Sequence, residues 1–274
     1  MKQRIITAIV LGIVAIPVCI FSGTVVFPLV WAILGAVGVY ELLGCMGTKD
    51  NKFISFPLYA MALVAPFAVR YFREELQKYS AIIVFTLFLY SLYLLAVWVF
   101  SYEKDQSIDM NKILASVFVS LYIIGASTAV VFVRDVNGGE FYWYFVFIGA
   151  WVTDIFAYFS GMLFGKHKLI PAVSPKKTVE GAIGGAIFCV AFFVGYGALV
   201  NHFSQYDISL VLLAVAGLLS ALVSMIGDLS MSVIKRTYGI KDYGKIFPRH
   251  GGVLDRFDSI LAVAIVMAVF LANR

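Results

Sequence analysis

The chain has 274 residues, of which 62% are hydrophobic and only 14% are charged. Soluble globular domains carry roughly 25% charged residues, so this composition excludes an ordinary soluble enzyme and indicates an integral membrane protein. The formal net charge is +5, and the three cysteines lie far apart in apolar segments, a spacing that predicts neither a disulfide framework nor a metal-binding pair.

Apolar runs long enough to cross a bilayer, which needs about 20 residues, follow one another along the chain. The sequence predicts nine spans, of which the first and last are short: 5–21, 24–43, 53–69, 80–100, 113–133, 141–164, 182–200, 208–227 and 259–273. We therefore expect an all-α fold, a polytopic transmembrane helical bundle that forms a single integral membrane domain over residues 1–274. We expect residues 1–140 to provide packing or a homodimer surface, and residues 141–274 to form the catalytic region.

The basic residues predict an orientation in the plasma membrane. With nine spans and the N-terminus inside, sixteen of the 21 lysines and arginines fall on the cytoplasmic side, where such residues accumulate. Ten of the sixteen lie in two loops, 165–181 and 235–258. Two spans separate these loops, so they lie on the same side of the membrane, and we expect them to form an active site that faces the cytoplasm.

Span six contains an acid near its middle. Asp154, Tyr158 and Gly161 stand at positions i, i+4 and i+7, so they share one face of the helix. A carboxylate within a span is costly and is expected to face the bundle interior or water, which favours a functional role. The structural alternative is a hydrogen bond from Asp154 to another helix.

A basic loop, SPKKTVEGAIGGAIF at 174–188, leads into span seven. Lys176 and Lys177 are adjacent cations that could hold phosphate, and Thr178 or Ser174 could cap the helix that follows. Three glycines in that helix allow another helix to approach closely: Gly181, Gly184 and Gly185. The alternative is an ordinary basic cytoplasmic loop that ends in a capped helix.

The most informative segment is 228–258, DLSMSVIKRTYGIKDYGKIFPRHGGVLDRFD. If span eight continues as a helix past residue 227, Ser224, Asp228, Ser232 and Lys235 form one polar stripe. An aspartate near the C-terminus of a helix opposes the helix dipole, so Asp228 is expected to meet a cation, either a bound ion or Lys235. A plain ion pair between Asp228 and Lys235 is the alternative.

The same segment ends where the last span begins. Gly251 and Gly252 let backbone N–H groups approach an anion closely, and His250 suits a loop or phosphate contact better than metal binding. Asp255 and Asp258 suit the start of a helix, where the dipole favours acids. Because several cations lie beside them, these two acids also predict a bound ion.

Residues 232–258 resemble the signature of the phosphatidate cytidylyltransferases, the CDP-diacylglycerol synthases. The matching positions run without a gap: Ser232, Ile234, Lys235–Arg236, Lys241–Asp242, Gly244, Phe247–Pro248, His250–Gly251–Gly252, Asp255–Arg256 and Asp258. An upstream segment from Asp154 to Pro171 and the loop SPKKTVEG at 174–181 are similar to two further parts of that pattern. The resemblance therefore covers the C-terminal half of the chain, and Arg249 departs from it, since many relatives have glycine there.

The resemblance implies a reaction in which CTP and phosphatidic acid give CDP-diacylglycerol and pyrophosphate, with Mg²⁺ as the cofactor and a second cation left open. It implies catalytic roles for six residues: Asp228, Lys235, Arg236, Lys241, Asp255 and Asp258. Substrate contacts are implied for nine more: Ser174, Lys176, Lys177, Thr178, Ser232, His250, Gly251, Gly252 and Arg256. The implied metal ligands are Asp154, Asp228, Asp255 and Asp258. No nucleic-acid partner is expected.

Two other functions compete with this interpretation. Another CTP-dependent membrane enzyme, a lipid kinase, would need a base to activate a hydroxyl nucleophile, whereas a phosphate nucleophile is already anionic and needs none. A membrane transporter could use the acid in span six and the glycines in span seven. However, a transporter would rarely concentrate its charges in two loops on the same side of the membrane.

Overall fold

The computed structural model describes residues 15–78, 80–102, 110–247 and 251–272. The labelled helices are, in chain order, α1 (Val26–Met46), α2 (Lys52–Lys78), α3 (Ser80–Tyr102), α4 (Met110–Asp135), α5 (Gly139–Tyr142), α6 (Tyr144–Phe147), α7 (Thr153–Phe164), α8 (Val179–Phe203), α9 (Leu210–Thr237) and α10 (Leu254–Leu271). A π-helical turn, Ile148–Val152, joins α6 to α7.

The helical bundle is confirmed, and six helical segments among the described residues are long and apolar enough to cross a membrane: Val26–Met46, Lys52–Glu74, Asn111–Asp135, Gly139–Phe164, Val179–Phe203 and Leu210–Thr237. The count of nine is not confirmed. Most of the predicted span 5–21 lies outside the described residues, and the apolar stretch found in α3, Phe88–Val99, is short.

The last predicted span, 259–273, corresponds to α10, which is mostly buried within the described bundle. In α10 every residue from Asp258 to Ala264 is buried, and Leu254 and Leu261 pack with α1 and α4. Residues toward the C-terminal end of α10, such as Met267, belong to a second apolar cluster that includes α6, the π-helical turn and α8. Because both apolar clusters include α10, this helix lies at the centre of the described bundle.

The fold also contains a small sheet that the all-α prediction lacked. Strands β1 (Lys168–Ile170) and β2 (Ser174–Thr178) form an antiparallel hairpin in the basic loop. The Glu180 carboxylate stabilises the start of the hairpin by accepting the backbone N–H groups of Lys166 and His167. The Glu180 side chain also contacts His167 Nδ1 at 2.6 Å. Glu180 thus stabilises a hairpin whose strands are too short for their sequence to show the alternating pattern of a β-strand.

Glycines bring α7 and α8 together, as the sequence predicts. Side chains added at Gly181 and Gly185 would collide with backbone carbonyl oxygens of α7, those of Ala157 and Thr153. The close approach fixes the N-terminal end of α8, where Thr178 caps the helix by accepting the Gly181 N–H at 3.1 Å. The hairpin is therefore anchored directly beside Asp154.

Polar contacts at the opposite end of the bundle join α2 to α4. The Arg70 guanidinium pairs with the Asp135 carboxylate at 2.6 Å and also donates to the Ser22 and Thr24 carbonyl groups. Arg134 donates to the Ser22 hydroxyl at 3.0 Å. Arg70 and Arg134 thus have structural roles, and in this respect this end differs from the end that contains the hairpin.

Candidate active site

The predicted site residues converge at the hairpin end of the bundle, from the hairpin, α7, the C-terminal end of α9 and the N-terminal end of α10. Helix α9 continues to Thr237, so the polar stripe of Ser224, Asp228, Ser232 and Lys235 exists as predicted. Ser224 and Lys235 are buried, and Asp228 and Ser232 are half-buried. One face of α9 therefore presents its polar groups toward the hairpin and α10.

Lys177 of the hairpin forms an ion pair with Asp228 of α9. Each side chain remains about a quarter exposed, at 28% and 27%. The partner of Asp228 is thus Lys177, from a segment 51 positions earlier, and not Lys235 as the alternative of a plain pair within α9 suggested. This contact ties the basic hairpin to the acidic face of α9.

Asp154 and Asp258 lie beside Asp228. The Asp154 carboxylate interacts electrostatically with Lys177 and Asp228, and its Oδ2 atom accepts the Ser259 hydroxyl at 3.3 Å. Asp258 is buried and interacts with Asp228 and Asp154, while its Oδ1 atom accepts the Ser259 N–H at 2.8 Å. Three helices thus bring three carboxylates together.

Asp255 forms the second ion pair of the site. Its Oδ1 atom lies 2.7 Å from Lys235 Nζ, and both side chains are almost fully buried. Its Oδ2 atom accepts the backbone N–H groups of Tyr243 at 2.7 Å and Gly252 at 2.9 Å. Asp255 therefore connects α9 to the segment between α9 and α10, the 238–253 loop.

The 238–253 loop is anchored by an aromatic side chain as well. The Tyr243 hydroxyl donates to the Met231 carbonyl at 2.9 Å, and its ring lies 5.3 Å from Lys235 Nζ. Burial raises the pKa of Tyr243 above its ordinary value, so the hydroxyl keeps its proton and remains a donor at neutral pH. Tyr243 thus holds its own part of the loop close to Lys235.

Sequence reasoning missed two residues from the N-terminal half. Glu41 of α1 is buried and accepts the N–H groups of Val253 and Leu254. Tyr122 of α4 has a buried hydroxyl that interacts electrostatically with Asp258. The position of Glu41 near the end of an apolar span was the only signal for it, and Tyr122 gave none among 15 tyrosines. Residues 1–140 thus contribute to the site as well as to packing.

Four other predicted residues lie on the surface of the protein. Lys176, Arg236, Lys241 and Arg256 are exposed, and Arg236 donates to the Ile240 carbonyl at 3.3 Å. Ser174 begins β2, and Gly251 has a positive φ of 85°. His250 lies outside the described residues.

The acidic cluster suits a hard divalent cation by its donor chemistry, since carboxylate oxygens are the ligands that Mg²⁺ prefers. Three carboxylates, Asp154, Asp228 and Asp258, lie in one region. The Lys177 ammonium pairs directly with one of them, Asp228. Within the described part of the chain, no three acidic, thiol or imidazole groups already surround a common point. These carboxylates have the donor chemistry of a Mg²⁺ site, but the described residues do not form its ligand cage in this arrangement.

Comparison with known proteins assigns the chain to a family. Residues 2–273 match the Cytidylyltransferase family. The chain belongs to this family. The phosphatidate cytidylyltransferases of Staphylococcus saprophyticus and Staphylococcus aureus are 33% and 34% identical to it, and that of Staphylococcus haemolyticus is 31% identical, each over 99% of both chains.

The match to the Cytidylyltransferase family also includes the N-terminal half of the chain, whereas the resemblance in sequence was confined to the C-terminal half. It covers α1 and α4, which supply Glu41 and Tyr122 to the site. The expectation of a nucleotidyltransferase is therefore confirmed across the whole chain.

Proposed function

We propose that this protein is a membrane-embedded phosphatidate cytidylyltransferase, which makes CDP-diacylglycerol for phospholipid synthesis from CTP and phosphatidic acid. The observation that carries this assignment is the convergence of the Lys177–Asp228 and Lys235–Asp255 ion pairs beside Asp154 and Asp258. Membership of the Cytidylyltransferase family supports it.

The reaction needs stabilisation of charge more than it needs a base. A phosphate oxygen of phosphatidate forms a bond to the α-phosphorus of CTP, and the bond from that phosphorus to the bridging oxygen breaks, so that pyrophosphate leaves. Negative charge increases on the transferring phosphoryl group and on the leaving group. Lys177 and Lys235 are the buried or half-buried cations that can neutralise it.

The exposed cations suit the initial capture of the two polyanions. Lys176, Arg236, Lys241 and Arg256 are exposed, so they can bind phosphate groups and raise the local concentration of substrate. Asp154 is exposed at the surface of the bundle, so we propose that the phosphatidate headgroup reaches the acidic cluster from this side. The acyl chains would then remain in the lipid.

Mg²⁺ is the proposed cofactor, held by Asp228, Asp258 and Asp154. When bound, it would act as a Lewis acid on phosphoryl oxygens. The metal role of Asp255 stays a prediction, although its contacts with Lys235 and two backbone N–H groups suit a residue that positions the lysine. A second cation also stays a prediction.

Three finer features belong to the same proposal. The count of nine spans, the plasma-membrane location with a cytoplasmic active site, and the homodimer remain predictions. The cytoplasmic orientation is supported by the concentration of lysines and arginines in the hairpin and the 238–253 loop.

A product assay with the purified full chain tests the function. With labelled CTP, phosphatidate in mixed micelles and Mg²⁺, we expect CDP-lipid and pyrophosphate in equal amounts, and no turnover in excess chelator until Mg²⁺ is restored. CDP and a phosphorylated lipid would instead identify a lipid kinase. Absence of nucleotide turnover together with ion flux in proteoliposomes would indicate a transporter.

A further inference from the structure

A carboxylate from the first described long helix supports the start of the last one. Glu41 lies near the C-terminal end of α1 and is only 4% exposed. Its Oε1 atom accepts the Val253 N–H at 3.0 Å, and its Oε2 atom accepts the Leu254 N–H at 2.9 Å. These two donors belong to the first turn of α10, where backbone N–H groups have no partner within the helix.

Among the described residues next to α10 in sequence, no side chain accepts the N–H groups of Val253 and Leu254. Val253 is the capping residue by position and provides no side-chain hydrogen bond to the helix. Glu41, 212 residues earlier than Val253, occupies the place of a capping side chain. Its negative charge also suits the positive end of the helix dipole.

Two glycines of the 238–253 loop, Gly244 and Gly252, pack tightly against this carboxylate. A side chain at either Gly244 or Gly252 would collide with the Glu41 carboxylate oxygens. Both positions therefore require glycine because Glu41 is there. These glycines belong to the pattern that resembles the family signature, which gives them a structural reason apart from any phosphate contact.

The Glu41 contacts adjoin the buried ion pair of the site. The N–H group of Gly252 donates to Asp255 Oδ2, and the next two N–H groups along the chain donate to Glu41. Asp255 in turn holds Lys235 at 2.7 Å. A shift of Val253 and Leu254 would therefore move Asp255 and with it the Lys235 ammonium.

We propose that Glu41 is a positioning residue for the transfer reaction, which fixes Asp255 and Lys235 through the backbone of residues 252–254 without touching substrate. This inference rests on the proposed function, because Lys235 is the group whose position matters for phosphoryl chemistry. A misplacement of about 1 Å is enough to lower a rate by about 100-fold.

The test uses Glu41→Gln in the full-length protein. Glutamine has nearly the same shape, but its amide nitrogen cannot accept the second N–H group. We expect kcat to fall by about 10- to 100-fold, with KM for CTP and phosphatidate within about threefold of wild type. Hydrogen exchange of the backbone amides at 252–256 should accelerate, as followed by mass spectrometry.

The matched control is Thr48→Val. Thr48 lies just after α1 and is as buried as Glu41. The substitution removes a 2.9 Å hydrogen bond between the Thr48 and Ser116 hydroxyl groups, and both residues are far along the chain from residues 252–256. Its kcat and its exchange at 252–256 should match wild type. Gly244→Ala provides a second variant that displaces the loop from Glu41, should Glu41→Gln fail to fold, and the same two changes are expected.

Two results would overturn the proposal: a kcat within about twofold of wild type in folded Glu41→Gln, or a lower kcat with unchanged exchange at 252–256. Failure of the proposed function can be told apart from failure of this proposal. In the first case the wild-type protein would form no CDP-lipid, and hydrogen exchange at 252–256 would still report on the Glu41 contact.

Discussion

At the residue scale, the site pairs each of two lysines with one acid and leaves further acids beside them. Lys177 pairs with Asp228 and Lys235 with Asp255, while Asp154 and Asp258 lie within electrostatic range of Asp228. Neighbouring carboxylates repel one another unless a cation lies between them or one of them is protonated. This excess of acid over base is the physical reason to expect Mg²⁺ between α7, α9 and α10.

Asp228 is the acid with the largest predicted effect on turnover. Asp228→Asn removes one proposed metal ligand and the partner of Lys177, so we expect kcat to fall by about 100-fold or more, the scale of losing one electrostatic contact to the transition state. The product assay measures this, and detergent extraction and thermal unfolding should match wild type. Asp207→Asn, at the opposite end of the bundle, is the control. Wild-type turnover in Asp228→Asn would remove this carboxylate from the metal site.

The two adjacent lysines of the hairpin should differ in importance. Lys177 is half-buried against Asp228, whereas Lys176 points to the exposed side of β2. Lys177→Ala is therefore expected to lower kcat/KM for CTP by about 100-fold, and Lys176→Ala by less than about threefold, because screened surface charges contribute little. Steady-state kinetics with both substrates varied checks this. Equal losses in the two variants would mean that the hairpin binds substrate by net charge alone.

At the element scale, the sequence predicts those features that depend on local chemistry. The spacing of Ser224, Asp228 and Lys235 predicts one polar stripe if α9 continues past residue 227, which it does. Residue type predicts a cap at Thr178 or Ser174, and the structure has it at Thr178. The pairing of hairpin strands and the choice of Lys177 as the partner of Asp228 depend on the tertiary fold. Glu41 was missed for the same reason, since its partners lie more than 200 positions away.

The π-helical turn before α7 is another feature that local pattern does not reveal. A π-helical turn contains more residues than an α-helical one, so it rotates the residues after it relative to those before it. Asp154 is the second residue of α7, directly after this turn. The Thr153 hydroxyl donates to the Gly149 carbonyl at 2.6 Å and stabilises the turn. The turn thus helps to set the direction of Asp154.

The contact between α7 and α8 should tolerate no added bulk. Gly185→Val would force α7 away from α8 through the Thr153 carbonyl, which moves Asp154 relative to Asp228. We expect a loss of roughly 1–3 kcal/mol of stability, seen as a lower unfolding temperature in detergent, together with reduced turnover. Gly195→Val in the same helix is the matched control, because nothing lies within 4 Å of its added carbon. Similar unfolding temperatures for the two variants would mean that the helices can separate freely.

At the scale of the whole molecule, the helix ends sort the polar groups into two sets. The hairpin, the C-terminal end of α9 and the N-terminal end of α10 meet at one end. The Arg70–Asp135 pair and the turn between α8 and α9, which includes Asp207, lie at the other. The sequence predicts that loops 165–181 and 235–258 share one end, because two spans separate them and successive helices cross the bundle in alternate directions.

The proposed reaction requires the hairpin end to face the cytoplasm, since CTP is a cytosolic polyanion that does not cross a bilayer. Lys168→Cys on the exposed part of β1 and Asp207→Cys at the opposite end report the two sides, in a chain whose native Cys19, Cys45 and Cys189 are replaced by alanine. A membrane-impermeant maleimide should label only the cysteine at position 207 in intact cells, and only that at position 168 in inside-out vesicles. Labelling of position 168 in intact cells would place the site outside the cell, where no CTP is available to it, and would contradict both the orientation and the proposed source of the nucleotide.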